Sequence, residues 1–379
     1  MRAIIIGGGV GGLTLALALR RKGIKAEIFE RAGDVARSQV GAGLMLAYNA
    51  TRVLRHLGLE AELETVGHRY RYSEFRSQRG ELLVRWSVPD EELQLGVMRA
   101  NLHRMLLAAQ AEGVLHLAST CTGFRQDAKG VTAHFADGSE ARGDVLIGAD
   151  GLKSVIRARL LGPERLRYAG YTVWRGLASL AHEDAPPGLF RMSWGAGKRF
   201  AFYHVAPGLV YWFGVASAPE GRREPPGTRR SGLLQRFRDW PEPARALISA
   251  TPEEKIHRTD IYDRKPIDTW GESRVTLLGD AAHPMTFNLG QGACQAIESA
   301  AVLAECLGEG GEPTAALRAY EERRKSRTAG FTRLSRRVGA IGRVSRPGAV
   351  WLRNMGLKLI FGRIVLPRQE RSRAIELRG

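Results

Sequence analysis

The first residues whose types and spacing suggest chemistry are five glycines in the run Gly7-Gly8-Gly9-Val10-Gly11-Gly12. They follow a β-branched run at residues 4–6 and precede a stretch rich in leucine and alanine that is typical of a helix. In such a turn Gly7 permits the bend, Gly9 lets the backbone approach a pyrophosphate, and Gly12 lets helix and strand pack closely. The N–H groups and the dipole at a helix start attract phosphate. The motif therefore predicts a bound dinucleotide.

An acidic residue lies where the ribose of that dinucleotide would be held. Residues 26–30 form a predicted second strand, parallel to the first, and Glu30 ends it eighteen residues after Gly12. A carboxylate at this place accepts hydrogen bonds from a pair of ribose hydroxyls. A glycine-rich turn without a ligand would not explain Glu30.

Two aspartates follow other predicted buried strands. Asp150-Gly151 comes after residues 144–149, and Asp280 lies in Gly279-Asp280-Ala281-Ala282-His283-Pro284 after a strand that begins at Val275. An aspartate at the end of a parallel strand can bind ligand hydroxyls, and the glycines of Gly290-Gln291-Gly292 let the next helix point its N-terminus at a negatively charged ring. Each aspartate alone could instead be a helix N-cap. Both alternatives stay open at this point.

The elements that must position these residues predict an α/β fold of mixed α+β character. We expect a Rossmann-type domain with a parallel sheet, an inserted domain with a mixed or antiparallel sheet, and a basic helical C-terminal region. The alternating aromatic and apolar residues between 166 and 264 indicate the second sheet. The predicted domains are 1–70 with 98–165 and 265–315, then 71–97 with 166–264, and finally 316–379.

Composition excludes several classes of protein. With 379 residues, of which 44% are hydrophobic, the chain can bury a large core and is not a disordered protein. Cys121, Cys294 and Cys306 are widely spaced, so neither a disulfide framework nor a metal site is expected. The N-terminus is too short in apolar residues for a signal peptide and no long apolar run occurs, so a cytoplasmic location is expected.

The net charge of +18 is concentrated at one end of the chain. Between Ala316 and Gly379 there are 17 Lys and Arg against 4 Asp and Glu, a net charge of +13. No motif of a nucleic-acid-binding domain accompanies this charge, so no nucleic-acid partner is expected. The basic C-terminus, with apolar Trp351, Leu357, Ile360 and Phe361, could contact an anionic membrane. We instead favour helices that pack on the nucleotide-binding domain with solvated arginines, because Arg353, Lys358 and Arg363 surround the helix and leave no clean apolar face.

Together these features resemble the single-component FAD-dependent aromatic hydroxylases of the para-hydroxybenzoate hydroxylase type, in particular members similar to salicylate and urate hydroxylases and to zeaxanthin epoxidase. The resemblance covers residues 1–305. It is carried by residues 7–12, Glu30-Arg31, Gly41-Ala42-Gly43, Arg99, Ala149-Asp150-Gly151, Tyr168-Ala169-Gly170-Tyr171, Trp174-Arg175-Gly176, residues 279–283 and Gly290-Gln291-Gly292.

The resemblance implies an enzyme that binds FAD non-covalently, takes NADH or NADPH as a transient co-substrate, and hydroxylates or epoxidises an electron-rich aromatic or lipophilic molecule with O₂ through a flavin C4a-hydroperoxide. It implies that Arg99 and Asp150 contact the ribityl-pyrophosphate region and Asp280 the ribityl hydroxyls. It also places residues 289–293 at the pyrimidine edge of the flavin. The implied cofactor residues are Gly7, Gly9, Gly12, Glu30, Arg31, Gly43, Arg99, Asp150, Asp280, Gly290, Gly292 and Ala293.

Two alternatives remain beside this interpretation: a flavin oxidase or reductase on the same fold, and a basic interaction module that binds FAD without catalysis. Incorporation of labelled O₂ into product distinguishes the first, and NAD(P)H consumption stimulated by substrate distinguishes the second. The sequence leaves the substrate, the choice of nicotinamide and the oligomeric state open.

Three residues are candidates for the substrate side. Arg199 and Tyr211 match substrate-side positions in the urate-hydroxylase-like members, although a solvated arginine and a core tyrosine are equally consistent with the pattern. His204 is either a pocket base or, more often in such a place, a structural residue. Asn288 stands where those members carry an aspartate, which disfavours urate as the substrate. We interpret Cys294 as packing, not as a covalent flavin link.

Overall fold

The computed structural model describes residues 1–34 and 43–359. The strands are β1 (Arg2–Ile6), β2 (Lys25–Phe29), β3 (Gly43–Leu46), β4 (Gly67–Arg69), β5 (Tyr72–Ser77), β6 (Leu82–Ser87), β7 (Leu95–Met98), β8 (Leu115–His116), β9 (Cys121–Asp127), β10 (Gly130–Phe135), β11 (Glu140–Gly143), β12 (Val145–Gly148), β13 (Arg167–Ser179), β14 (Leu189–Trp194), β15 (Lys198–Ala206), β16 (Leu209–Ser217), β17 (His257–Asp263) and β18 (Val275–Leu277). The helices are α1 (Val10–Arg21), α2 (Tyr48–His56), α3 (Glu60–Thr65), α4 (Arg99–Ala108), α5 (Val155–Leu161), α6 (Arg229–Arg236), α7 (Ala244–Ser249), α8 (Gly292–Gly308), α9 (Pro313–Gly342) and α10 (Pro347–Gly356).

The first sheet is parallel and has the strand order β18-β12-β1-β2-β8. Four of the five residues of β1 are buried, as expected for a central strand covered on both faces. The helix α1 ends where Gly23, at φ +70°, donates its N–H to the Arg20 carbonyl, and Ile24 donates to Leu19. The predicted βαβ unit of β1, α1 and β2 is therefore confirmed, and the parallel pairing of all five strands brings their carboxyl ends to one edge of the sheet.

The second sheet has seven strands in the order β17-β13-β16-β15-β14-β5-β6 and is antiparallel except between β14 and β5. Because side chains alternate along a strand, each of its faces carries its own cluster of buried residues. We call the side that carries Tyr171, Tyr211 and Phe213 the front face. We call the side that carries Phe200, Phe202, Trp212 and the residues of α6 and α7 the rear face. The mixed sheet predicted from the aromatic alternation is confirmed.

The remaining strands form two smaller antiparallel sheets, with the orders β11-β10-β9 and β3-β7-β4. The hairpin between β10 and β11 turns at the predicted Asp137-Gly138, where Gly138 has φ +85°. Met45 of β3 and Met98 of β7 pack against the front face of the seven-stranded sheet. The sheet of β3, β7 and β4 therefore lies against that face.

The long helix α9 connects the two large sheets. Near its start the Tyr320 hydroxyl donates to the carbonyl of Leu277 at the end of β18 (3.1 Å), and near its end the Arg343 guanidinium donates to the Ala169 carbonyl in β13 (3.2 Å). A methyl group built on Gly342 would come within 2.5 Å of Arg199 Nε, so this helix end packs directly on the front face. The predicted helical C-terminal region is confirmed for the part that the structure describes.

One expectation for this region is wrong. Arg353 is not solvated but 8% exposed: its Nη1 donates to the Gly195 carbonyl (2.8 Å), and its guanidinium lies 5.7 Å from the centre of the Trp194 ring. Trp351 on the same helix is 62% exposed. The helix α10 thus packs on the seven-stranded sheet through its arginine, since a carbonyl and an indole face satisfy the cation. Ile360, Phe361 and Arg363 of the predicted membrane contact lie outside the described residues.

Within residues 1–34 and 43–359, none of the helices combines the length and the apolar composition that a membrane crossing requires.

Candidate active site

The predicted ligand-binding residues meet at the carboxyl edge of the parallel sheet. Gly7 follows β1, Glu30 follows β2, Asp150 follows β12 and Asp280 follows β18, and these are four consecutive strands of the sheet. Ligands of open parallel sheets bind in the crevice beyond the carboxyl ends of the strands. The sheet order therefore assembles four separate sequence motifs at one place.

The glycines of the first turn are there for different physical reasons. Gly7 has φ +111°, and a methyl group on Gly12 would lie 2.1 Å from the Gly7 carbonyl oxygen. Both positions need glycine for the fold itself. Gly9 has an ordinary φ of −77°, and a methyl group built there meets no atom within 4 Å. The fold does not explain the glycine at position 9, and the open space beside it is the place where a ligand backbone would approach.

The two long helices that begin at this edge start without side-chain caps. Neither α1 nor α8 has a capping side chain or an acidic residue in its first turn. Their first N–H groups remain available to an anion, and the helix dipoles favour negative charge there. The short helix α5 differs, because the Ser154 hydroxyl caps it by accepting from Arg157 N at 2.9 Å. Two uncapped helix starts in one crevice fit a ligand with a pyrophosphate and a ring that becomes negatively charged.

Glu30 is held in place by the backbone around it. Its Oε2 accepts from Gly8 N at 2.8 Å and its Oε1 accepts from Ala32 N at 2.9 Å. Each carboxylate oxygen keeps a free lone pair. Glu30 can therefore fix the glycine turn and still accept from a ribose hydroxyl. Arg31, which follows it, is exposed.

His103 is a residue of this turn that the sequence analysis missed. It is 3% exposed, and its Nε2 lies 2.7 Å from the Gly8 carbonyl oxygen, 95 positions away in the chain. With a proton on Nε2, the ring donates to that carbonyl and fixes the second glycine. A histidine inside the predicted helix at 99–112 was the only available signal, and nothing local connects it to the turn.

Asp150 acts as a helix cap in this structure. Its Oδ1 accepts from the Ser154 hydroxyl at 2.5 Å, and its Oδ2 accepts from Val155 N at 2.7 Å and Ile156 N at 3.3 Å. Burial raises the pKa of this carboxyl group, while these hydrogen bonds oppose the shift. The capping alternative that the sequence left open thus holds for Asp150, although the residue also lies at the crevice.

Asp280 behaves differently at the equivalent place. Its side chain makes no hydrogen bond to a described residue and is open to solvent at the floor of the crevice. Desolvation by the surrounding protein raises the pKa of the Asp280 carboxyl group, and the nearby Arg99 guanidinium opposes that shift. Arg99 is also exposed, and its pKa is lowered by desolvation and by the neighbouring Arg175 while Asp280 opposes the change. An unpaired aspartate beside the Arg99 guanidinium is a polar site without its ligand partners.

The start of α8 closes the crevice on the other side. Gly290 has φ +64°, and a methyl group on Gly292 would meet no atom within 4 Å, so backbone N–H groups there are open to approach. Ala293 is half-buried in the first turn. Cys294 is fully buried, and burial raises the pKa of its thiol to about 12. A protonated, buried thiol supports its interpretation as packing.

The front face of the seven-stranded sheet forms the wall opposite the crevice. Tyr211 is 4% exposed, and a methyl group on Gly43 would lie 2.4 Å from its ring, so Gly43 is glycine because the tyrosine packs on the strand. Burial raises the pKa of Tyr211 to about 12, and the nearby Arg175 opposes the shift. Tyr211 is therefore a neutral phenol at physiological pH. Gly41 and Ala42 lie outside the described residues.

Arg199 lies on this face and is 1% exposed. Its Nη2 donates to Asn288 Oδ1 at 2.7 Å, and its guanidinium lies 5.2 Å from the Trp194 ring centre and 5.8 Å from that of Tyr171. Among the residues that the structure describes, no carboxylate forms an ion pair with Arg199, and its Nε has no partner. Burial lowers its pKa to about 10, which still leaves a cation at neutral pH. Of the two alternatives for Arg199, the solvated arginine is therefore wrong.

Asn288 joins the sheet to the C-terminal helix. The Asn288 Oδ1 accepts from Arg199, and its Nδ2 donates to the Tyr171 hydroxyl and to the Ser335 carbonyl, each at 2.8 Å. A carboxylate could accept from Arg199 but could not donate to Ser335. Asn288 is thus specifically an amide in this network, which the sequence alone did not reveal.

His204 does not join this group. Its ring centre lies 5.3 Å from that of His68 in β4, and its Nε2 lies 2.9 Å from the Ala185 carbonyl oxygen. It is 5% exposed. The structure therefore separates His204 from Arg199 and Tyr211 and favours its structural interpretation.

Comparisons with known proteins agree with this geometry. A family model described as FAD binding domain matches residues 1–335. Aurachin C monooxygenase/isomerase from Stigmatella aurantiaca is 40% identical over 98% of this chain and 97% of its own length. FAD-dependent urate hydroxylase from Klebsiella pneumoniae subsp. pneumoniae is 37% identical over 86% of both chains. The crystal structure of Klebsiella pneumoniae HpxO with FAD and uric acid superposes with a TM-score of 0.92 at 32% identity, covering 98% of this chain and 96% of that one.

Proposed function

The chain belongs to the FAD binding domain family, and from this premise we propose that it hydroxylates a small, electron-rich aromatic compound that carries an anionic oxygen. The protein is an FAD-dependent monooxygenase, an enzyme that uses NAD(P)H and O₂. When bound, FAD supplies the relay that passes two electrons from NAD(P)H to O₂. The remaining work of orientation, water exclusion and charge stabilisation falls to the residues of this chain.

The residues that line the crevice fit FAD. The open space at Gly9 accommodates a pyrophosphate at the uncapped start of α1, with Glu30 and Arg31 near the adenosine ribose and Gly7 and Gly12 shaping the turn. Asp280 is free to accept from ribityl hydroxyls, with Arg99 close by. Gly290, Gly292 and Ala293 would present backbone N–H groups to the flavin ring of bound FAD, where they would stabilise negative charge on the reduced form. We assign Gly43 and Asp150 an indirect part, since packing and capping account for their contacts.

Arg199 is the observation that carries the substrate proposal. A buried cation without a carboxylate costs free energy unless another charge approaches it. Its neighbours Trp194, Tyr171 and Asn288 supply an aromatic and an amide environment and no negative charge. A phenolate or carboxylate on a flat ring would supply that charge. Tyr211 lies on the same face as a neutral hydrogen-bond donor.

Asn288 restricts the class of expected substrates further. Its amide cannot remove a proton, so the substrate must reach its reactive, electron-rich form without a base at this position. We therefore expect phenols and related hydroxy-heteroaromatics that ionise readily, and we do not expect urate.

Matched pairs of compounds test this proposal. Purified protein is assayed for stimulated NAD(P)H oxidation with phenolic acids and with their neutral methyl esters, and product is analysed after reaction under ¹⁸O₂. We expect label in the product and a preference for the anion of at least about tenfold in kcat/KM, as for one charged hydrogen bond. The Arg199→Met variant should lose that preference and Arg199→Lys should keep part of it. Oxidation without label would indicate an oxidase, and an equal rate for acid and ester in the wild type would contradict the role of Arg199.

The division of the chain into a nucleotide-binding domain, a substrate domain and a C-terminal region also remains a prediction.

A further inference from the structure

A second cavity lies behind the seven-stranded sheet, away from the crevice. It has a volume of about 100 Å³. Strand alternation directs Arg191 and Ser193 of β14, and Phe200 and Phe202 of β15, to this rear side. Residues 241–244, which lead into α7, form the opposite wall. We call this cavity the rear pocket.

The size of the rear pocket suits a small organic molecule. Its volume of about 100 Å³ lies between the roughly 10 to 15 Å³ that a single water needs and the roughly 150 Å³ of an engineered cavity in another protein that holds benzene. Phe200 and Phe202 are 3% and 2% exposed and give the pocket an aromatic floor. A ring or short apolar chain would contact that floor favourably.

Three donors at the rear pocket have no partner in the described part of the chain. Arg191 uses its Nε for Glu74 (3.1 Å) and its Nη1 for the Asp184 carbonyl (2.9 Å), which leaves Nη2. Arg76 uses its Nε for Glu74 (2.9 Å) and its Nη1 for the Gly80 carbonyl (2.9 Å), which also leaves Nη2. The hydroxyl of Ser193, a residue that is 8% exposed, makes no hydrogen bond. Three free donors around one cavity can donate hydrogen bonds to the oxygens of a carboxylate.

The acids around the pocket limit the charge that it can accept. Glu74, which is 3% exposed, is shared by Arg76, Arg191 and Arg85, so these guanidiniums exceed it in charge. Asp184 lies 3.9 Å from Arg191. Glu242 on the opposite wall accepts from Ala246 N (3.0 Å) through one oxygen only. The three guanidiniums balance these three carboxylates, so a monocarboxylate adds one negative charge to a neutral group, whereas a phosphate dianion adds two and is repelled more strongly by Glu242.

We propose that the rear pocket binds a small monocarboxylate with an aromatic or apolar body, separately from the active site. The same two strands carry residues of both sites: Ser193 pairs with Phe200 behind the sheet, and the next pair, Trp194 with Arg199, lies in front. A ligand behind the sheet thus contacts the strands that hold Arg199. The binding itself does not depend on the proposed reaction.

Titration calorimetry of the FAD-loaded protein with sodium benzoate tests the proposal. We expect saturable binding that leaves the flavin absorbance unchanged, is weakened about tenfold in Arg76→Met and is weakened about fivefold in Ser193→Ala, as for a charged and a neutral hydrogen bond. Arg76→Lys should recover part of the loss. Inorganic phosphate should not compete. Ser193→Ala removes only a hydroxyl group, so it provides a folded variant even if the arginine variants are unstable.

Three results would overturn the proposal. The first is the absence of saturable heat in the wild type. The second is benzoate binding that is unchanged in both variants and shifts the flavin spectrum, because that would place benzoate in the crevice. The third is equal competition by phosphate, which would show a general anion site. A protein that binds benzoate as expected but oxidises no NAD(P)H would refute the proposed reaction and leave the rear pocket intact.

Discussion

The turns after β12 and β18 begin alike and are used differently. Each places an aspartate just beyond a buried parallel strand. The Asp150 carboxylate accepts hydrogen bonds from Ser154 and from the first N–H groups of α5. The Asp280 carboxylate makes no hydrogen bond to a described residue and faces Arg99. The same contrast exists within the first turn, where Gly12 is required by packing and Gly9 is not. Residues that the fold already uses and residues that it leaves free can thus stand side by side in one motif.

The largest expected effect separates Gly9 from Gly12. Gly9→Leu should fold normally, because nothing lies within 4 Å of the added Cβ, and should lose FAD affinity by at least about 100-fold, or about 2.8 kcal/mol. Fluorescence titration of apoprotein with FAD measures the affinity, and circular dichroism checks the fold. Gly12→Ala is the matched control: its methyl group would meet the Gly7 carbonyl at 2.1 Å and should destabilise the protein by about 3 kcal/mol. If the Gly9→Leu protein bound FAD as tightly as the wild type, the pyrophosphate would not bind at this turn.

Asp280 should come next in effect. Asp280→Ala removes free acceptors and should weaken FAD binding about 10- to 100-fold with little change in the unfolding temperature, since no described residue depends on this carboxylate. Asp280→Asn keeps one acceptor oxygen and should fall between the two proteins. Equilibrium dialysis with FAD and thermal unfolding of the apoprotein separate ligand loss from instability. A large drop in unfolding temperature with unchanged affinity would make Asp280 a second cap.

Asp150 should show the reverse pattern. Asp150→Ala removes the acceptor of Val155 N and should lower the free energy of unfolding by about 1 kcal/mol, as for the loss of a helix cap. Its FAD affinity should change less than that of Asp280→Ala. Urea unfolding of the apoprotein provides the first number, and the same dialysis provides the second. If both aspartate variants lost FAD equally, the contrast between the two turns would disappear.

The smallest effect is expected at the cysteines. Burial raises the pKa of Cys294 to about 12 and that of Cys121 to about 11, so both remain protonated thiols far above neutral pH. Alkylation of the folded protein at pH 8 should leave both unmodified, and acid or heat should release intact FAD. Mass spectrometry reads both outcomes. A flavin that stays attached after denaturation would contradict the non-covalent cofactor.

Sequence reasoning could recover the features that depend on neighbours in the chain. The βαβ unit, the Asp137-Gly138 hairpin and the helix α4 follow from local periodicity and turn residues, and all three are present. Cys294 was interpreted as packing because nothing around it suggested a nucleophile. The use of Asp150 as a cap was one of two open alternatives, because a strand end followed by a helix looks the same in both cases.

The features that escaped depend on contacts between distant parts of the chain. His103 reaches a carbonyl 95 positions away, and Arg199 meets Asn288 across 89 positions. Arg353 is inside and Trp351 outside because Gly195 and Trp194 happen to lie under α10. Residue type predicts the opposite exposure for both, since the usual tendencies ignore a partner 158 positions away.

The sequence by itself determined that this chain binds a dinucleotide at the ends of parallel strands, because the glycines, the strand before them and the acid after them are local requirements of that geometry. Only the tertiary structure decided which of the polar groups remain free. Whether an aspartate or arginine is free depends on every group folded around it. For Asp280, Arg199 and the donors of the rear pocket, those groups come from several separate segments of the chain.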